Sequence, residues 1–157
     1  MVILENNQFA EFPSAVFGLE SLTDLIMRNN QLSTIPAGIG ALENLSHLSV
    51  SSNRLTELPA QLGNLPLSSL FASNNQISEL APEIASIDSL FVLGMENNLL
   101  TDLPVEIAGQ DIRVLFLSGN SLCITGPTVL AWLAGYDVEY GNCTEAQLYL
   151  PMLSHTP

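Results

Sequence analysis

The chain has 157 residues, 28 of them leucine, with 47% hydrophobic residues and a mean hydropathy of +0.33, which excludes disorder and supplies one domain with a core. Sixteen acidic residues stand against three cations, all arginine (Arg28, Arg54, Arg113), for a formal charge of −13. Such a surface repels phosphate backbones and anionic headgroups, and the absence of lysine excludes Schiff-base and P-loop chemistry.

No stretch reaches the 18 or more consecutive apolar residues of a membrane span, so no membrane insertion is expected. Met1–Asn6 lacks the basic and then apolar run of a secretory leader. Either a leader has been removed, or the chain is a fragment of something longer.

Asparagine recurs at Asn7, Asn30, Asn53, Asn75, Asn98 and Asn120, in steps of 23, 23, 22, 23 and 22. The same apolar frame surrounds each. The first unit is cut short at its front (Val2, Leu4, Asn7, Phe9, Phe12, Pro13, Val16, Leu19). The second is complete: Leu22, Leu25, Met27, Asn30, Leu32, Ile35, Pro36, Ile39, Leu42. The third runs from Leu45 to Leu65, the fourth from Leu67 to Ile87, the fifth from Leu90 to Ile107, and the sixth from Ile112 to Leu122. Alternation at Leu25 and Met27, and at their equivalents, predicts a short strand with one buried face in every unit. Three irregularities argue for a natural chain over a consensus design. Ala81 stands where other units have proline, Gln110 replaces a leucine, and the steps Leu65 to Leu67 and Gln110 to Ile112 are one residue shorter than the others.

Beyond the sixth unit, Gly126 and Pro127 read as a helix start and Gly135 as its stop. Val129, Leu130, Leu133 and Ala134 fall on one side of that helix, and Trp132 is expected to cover the last rung. Tyr136, Val138 and Tyr140 alternate as a short extended segment. The tail, 144–157, is apolar at Leu148, Tyr149, Leu150, Met152 and Leu153, and is expected to pack on the cap or lead into another domain.

The repeated frame resembles the leucine-rich repeat family, whose unit reads L-x-x-L-x-L-x-x-N-x-L followed by L-P-x-x-I-x-x-L. The likeness covers residues 2 to about 122. It implies an α/β-type leucine-rich repeat solenoid, a right-handed horseshoe arc with a parallel sheet on the concave face. The convex side would be irregular or 3₁₀, with a helical C-terminal cap. The implied division is six repeats over 1–122 (the first truncated), a cap over 123–143 and a tail over 144–157. The six asparagines are then scaffold, each amide bonding backbone of adjacent turns in a dry core. Cysteine-pinned caps of secreted members imply a disulfide between Cys123 and Cys143, the alternative being two buried thiols in a cytosolic protein. The front of the first unit shows no cap, so its edge strand is expected either to follow a missing segment or to self-associate with another chain.

Catalytic and metal signatures are lacking. His47 and His155 have no partners at ligand spacing, and no nucleophile elbow occurs. Glu11, Glu57, Glu79 and Asp102 align before the Leu-Pro step, where a solvated edge is a better reading than a divalent-cation site. No enzyme activity, cofactor or metal is expected.

The family's working surface is the concave sheet, read in columns. The first column holds Asp24, His47, Ser69, Val92 and Val114, and the central one Ile3, Ile26, Ser49, Phe71, Gly94 and Phe116. The third holds Glu5, Arg28, Ser51, Ser73, Glu96 and Ser118, and the fourth Asn6, Asn29, Ser52, Asn74, Asn97 and Gly119. Phe71, Val92, Val114 and Phe116 form an apolar cluster, with Gly94 expected to leave a dip between the two phenylalanines. Ile26, Arg28 (paired with Glu5), His47 and Glu96 complete the candidate partner-binding set. The resemblance implies recognition of a protein or peptide on this face, expected to be extracellular or at the cell surface, and the lysine-free acidic composition points to a bacterial source. The alternatives are a substrate-recognition domain of a larger enzyme or effector, or a cytoplasmic scaffold like the Ras-group repeat proteins.

Overall fold

The computed structural model describes residues 1–136. Six strands form one parallel sheet in sequence order: β1 (Val2–Ile3), β2 (Asp24–Ile26), β3 (His47–Ser49), β4 (Ser69–Phe71), β5 (Val92–Gly94) and β6 (Val114–Phe116). Each return path carries one five-residue 3₁₀ segment: Ser14–Gly18, Ala37–Ala41, Ala60–Asn64, Pro82–Ser86 and Val105–Gly109. A single helix, α1 (Pro127–Leu133), follows β6.

The register locks the repeat in place. Leu25, Leu48, Leu70, Leu93 and Leu115 stand opposite one another across the sheet, and all are buried against the return paths. A slip by one residue would turn each of them to solvent, so the apolar alternation fixes the pairing. The core is a ladder of equivalent leucines, isoleucines and valines running the length of the stack.

The ladder asparagines satisfy backbone that leucine could not. Asn75 Oδ1 accepts from the Leu55 N–H at 3.0 Å, while its Nδ2 donates to the carbonyls of Val50 at 3.1 Å and Ala72 at 2.9 Å. Asn30, Asn53, Asn98 and Asn120 repeat this arrangement one rung at a time. Asn7 is exposed and reaches only Leu4 and Glu5 carbonyls.

The residue before each ladder asparagine is a corner rather than part of the flat face. Asn6, Asn29, Ser52, Asn74 and Asn97 have φ between 52 and 58°, and Gly119 has 71°. The expectation that these six form an ordinary outward column is therefore corrected: the strand ends in a left-handed turn there. Asparagine and glycine tolerate that conformation best, which explains their prevalence. Two pairs also bond side chain to side chain, Asn29 to Asn6 at 2.9 Å and Asn97 to Asn74 at 3.2 Å. Ser52 interrupts that outer series.

The unequal step lengths have a backbone cause. After three of the 3₁₀ segments the chain turns at Leu19, Leu42 and Ile87 (ψ 68, 61 and 84°), and a bonded turn follows, as from the Leu45 N–H to Leu42 O at 2.8 Å. At Leu65 and Gln110 the backbone stays extended (ψ 147 and 142°) and reaches the next strand with one residue fewer. Ala81 takes the place of proline without a change of path, because its φ of −61° is the value proline imposes.

At the C-terminal end, α1 lays Val129 and Leu133 on the last rung. Leu130 is 39% exposed and Ala134 is exposed as well, which corrects the four-residue apolar side expected from sequence. In a two-turn helix only the i, i+4 pair reaches the stack, and its neighbours lie about 100° around. Trp132 is half-buried on the core, with Nε1 donating to the Gln110 carbonyl at 3.1 Å. The Tyr136 hydroxyl donates to Ile112 O, and the Trp132 and Tyr136 rings lie 4.9 Å apart. Val138, Tyr140, Cys143, His155 and the tail lie outside the described residues. Among the described residues no helix is long and apolar enough to cross a membrane.

Candidate binding face

The sheet register carries the expected columns. Ile3, Ile26, Ser49, Phe71, Gly94 and Phe116 are successive partners, as are Asp24, His47, Ser69, Val92 and Val114. Their surroundings divide the face into two halves.

Over β4–β6, Val92 and Val114 are half-buried and Phe116 is 43% exposed. The dip expected at Gly94 is filled. A methyl group built on Gly94 would sit 2.8 Å from Phe71 Cδ1, so the Phe71 ring leans across the glycine and buries it. A side chain at 94 would push that ring away, and glycine here permits close approach rather than a turn. Two further residues outside the expected columns form an exposed pair at the entrance to β5 and β6. Phe91 is 48% exposed, and the Arg113 guanidinium sits 5.7 Å from the centroid of its ring, within cation–π range. Arg113 also meets Asp111 at 3.3 Å. Both occupy the position one residue ahead of the first column, where Ser46 and Ser68 elsewhere bond hydroxyl to hydroxyl at 3.0 Å. The two-residue period of a strand marks that position as inward, and only the bulk of Phe91 signals otherwise in the sequence.

Over β1–β4 the face is more polar. Arg28 Nε donates to the Glu5 carboxylate, and that hydrogen bond, reinforced by the charge of Glu5, raises the guanidinium pKa against a small opposing effect of burial. His47 Nδ1 lies 3.5 Å from Asp24, which also accepts the Thr23 hydroxyl at 2.6 Å. Glu96, further along, accepts the Ser73 hydroxyl at 3.1 Å. Between Ile26 and Phe71 the sheet carries an open recess of about 440 Å³, lined by Glu5, Ile26, Arg28, Ser49, Ser51 and Phe71.

On the edge near the 3₁₀ segments, Glu79, Asp102 and Glu106 border a cleft of about 410 Å³. Asp102 Oδ1 accepts from the Leu103 N–H at 2.8 Å, a local turn. Among the described residues no group of three acidic, histidine or cysteine side chains is placed to hold a metal ion.

Residues 1–55, the first two repeats and the start of the third, match the leucine-rich repeat family model, in phase with the sheet and ladder that continue to β6. The chain is a leucine-rich repeat solenoid. Solved structures extend the likeness over most of this leucine-rich repeat chain. A leucine-rich repeat protein of Leptospira interrogans is 27% identical, with a TM-score of 0.60, over 87% of this chain and 42% of that one. An internalin of Listeria monocytogenes shares the fold at 24% identity and a TM-score of 0.68, over 88% of this chain and 39% of its own. The PEPR1–AtPEP1 structure is 32% identical over 71% of this chain and 16% of that one, with a TM-score of 0.65. This repeat chain thus spans 42% or less of the length of these three. Among curated proteins, none matches the sequence.

Proposed function

We propose that this chain is a non-catalytic recognition module that binds a protein or peptide on its concave sheet, extracellularly or at the cell surface. The observation that carries the reading is the exposed apolar cluster over β4–β6. Phe91 and Phe116 hold 48% and 43% of their surface in solvent at positions where the fold has no packing use for a ring. Exposed aromatic and β-branched side chains beside serine and arginine have the composition of interaction sites. The likeness to the PEPR1–AtPEP1 structure supports partner binding.

Phe71, Val92, Gly94, Val114 and Phe116 form the centre of this site, with Phe91 and Arg113 at its margin. Ile26, Arg28 and His47 belong to the more polar half, and Glu96 lies on the β5 rung beside Ser73. Phe91→Ser combined with Phe116→Ser removes both exposed rings while touching no buried leucine. The double variant should lose the partner captured by the natural chain and keep its melting temperature; undiminished capture would remove this cluster as the site.

A disulfide between Cys123 and Cys143 belongs to the same reading, with Cys143 outside the described residues. Its loop of roughly 20 residues would contribute on the order of 3 kcal/mol. Intact mass after alkylation, with and without reductant, tests it. Two alkylated cysteines in unreduced protein from its native host would overturn the extracellular placement and favour a cytoplasmic one.

A further inference from the structure

The central column has a gap. Neighbouring strands lie about 4.8 Å apart, and along them Ile26, Ser49 and Phe71 are direct partners. A hydroxymethyl group between an isoleucine and a phenylalanine leaves one rung's depth unfilled. Ser51 behind it, in the column of Arg28 and Ser73, is small too. The far wall stays back for a definite reason: the Phe71 ring leans the other way, across Gly94, where no side chain opposes it. The near rim is fixed by Arg28 held on Glu5. The resulting recess is open to solvent and has a volume of about 440 Å³, with Ser49 in its lining.

Charge selects the occupant. The chain carries −13 overall and no lysine. The one arginine at the recess is already paired with Glu5. Outside the recess, Asp24 on the β2 rung and Glu96 on the β5 rung have carboxylates that meet hydroxyls and an imidazole, and no arginine among the described residues. An anionic partner would find no uncommitted cation here, whereas lysines or arginines flanking an inserted apolar group would find carboxylates on both sides of it.

We infer that the recess over Ser49 is a socket for a single aliphatic or aromatic side chain of an extended, cationic peptide segment. The inference rests on the concave sheet being the binding face and adds the chemistry of what binds there. The apolar side chain fills the gap between Ile26 and Phe71 over Ser49. Basic residues on either side reach towards Asp24 and Glu96, so binding weakens with salt as screened charges do.

The test is selection of a random dodecapeptide phage library on the full chain, followed by fluorescence-polarisation titration of the enriched sequences as synthetic peptides. One apolar residue flanked by lysine or arginine is the expected consensus. Ser49→Phe plugs the socket and should weaken binding by about tenfold or more, whereas Ser49→Ala should stay within about twofold. Ser49→Leu repeats the plug with a smaller group should the phenylalanine variant fold poorly. An acidic consensus, no enrichment, or affinity unmoved by both plugs overturns the socket. Peptides lost only on Phe91→Ser with Phe116→Ser overturn the socket yet leave the binding face standing. Peptides indifferent to every one of these variants overturn both.

Discussion

Replacing Asn75 by leucine tests how the stack is held together. The side chain is buried and makes three strong bonds, but they are not equivalent. Val50 O also receives Asn53 Nδ2 at 2.9 Å, and Ala72 O also receives Asn98 Nδ2 at 3.0 Å. Each carbonyl therefore keeps a donor when Asn75 is lost. The Leu55 N–H has Asn75 Oδ1, at 3.0 Å, as its acceptor and is orphaned in the core. An orphaned buried donor costs about 1–3 kcal/mol and each weakened carbonyl about 0.5 kcal/mol, so Asn75→Leu should cost about 3 kcal/mol. That is a large share of the ~5–15 kcal/mol that holds a domain of this kind. Asn7→Leu is the internal control, because its amide is exposed and serves only local carbonyls; its cost should stay within about 0.5 kcal/mol. Equilibrium urea denaturation of the natural chain and both variants reads the difference as a shift in midpoint at constant slope. A loss below about 1 kcal/mol for Asn75→Leu, or equal losses for the two variants, would refute the account of the ladder.

Ser52→Asn should stabilise the chain by about 0.5–1 kcal/mol, because asparagine suits the left-handed turn and would bridge Asn29 and Asn74; a lower urea midpoint would contradict this. Gly63→Ala should destabilise by about 1–3 kcal/mol, since the added methyl would lie 2.3 Å from the backbone oxygen of Glu83 on the next return path; an unchanged melting temperature would show that the two segments can part freely. Burial, and then the charge of Asp111, raise the Tyr136 pKa above the ordinary 10.0. The unfolded chain therefore loses this proton first, so the contribution is complete below pH 10 and lost as pH rises through the folded value. Tyr136→Phe should flatten the alkaline fall in melting temperature, and an identical alkaline limb would exclude Tyr136 as its source.

The sheet and its register were legible because every unit repeats the same inward leucines, and a one-residue slip would expose all of them. The left-handed corner was not, because a pattern of inward and outward side chains is silent about φ. Asn-Asn at 29–30, 74–75 and 97–98 reads as two polar residues, although the first bends the chain and the second bonds its core. The face was readable by column but not by rotamer. The small residue at 94 marked a vacancy in the sequence, and the neighbouring phenylalanine moved into it, opening the true vacancy at Ser49 instead. At the cap, one side of a helix was apolar over four residues, and only the two spaced by a full turn could reach the rung.

The contacts of each rung also bear on how the chain comes off the ribosome. Among the described residues, each strand lies beside the strands before and after it, each 3₁₀ segment lies beside its neighbours in the same way, and α1 sits on the last 3₁₀ segment. Among the described residues no rung depends on a distant part of the chain, although all pairing is parallel, an arrangement that ordinarily makes folding slow. The stack can grow from its first turns as synthesis proceeds, each new turn of 22 or 23 residues settling on a finished surface. The helix α1 then settles on the surface that the sixth rung leaves.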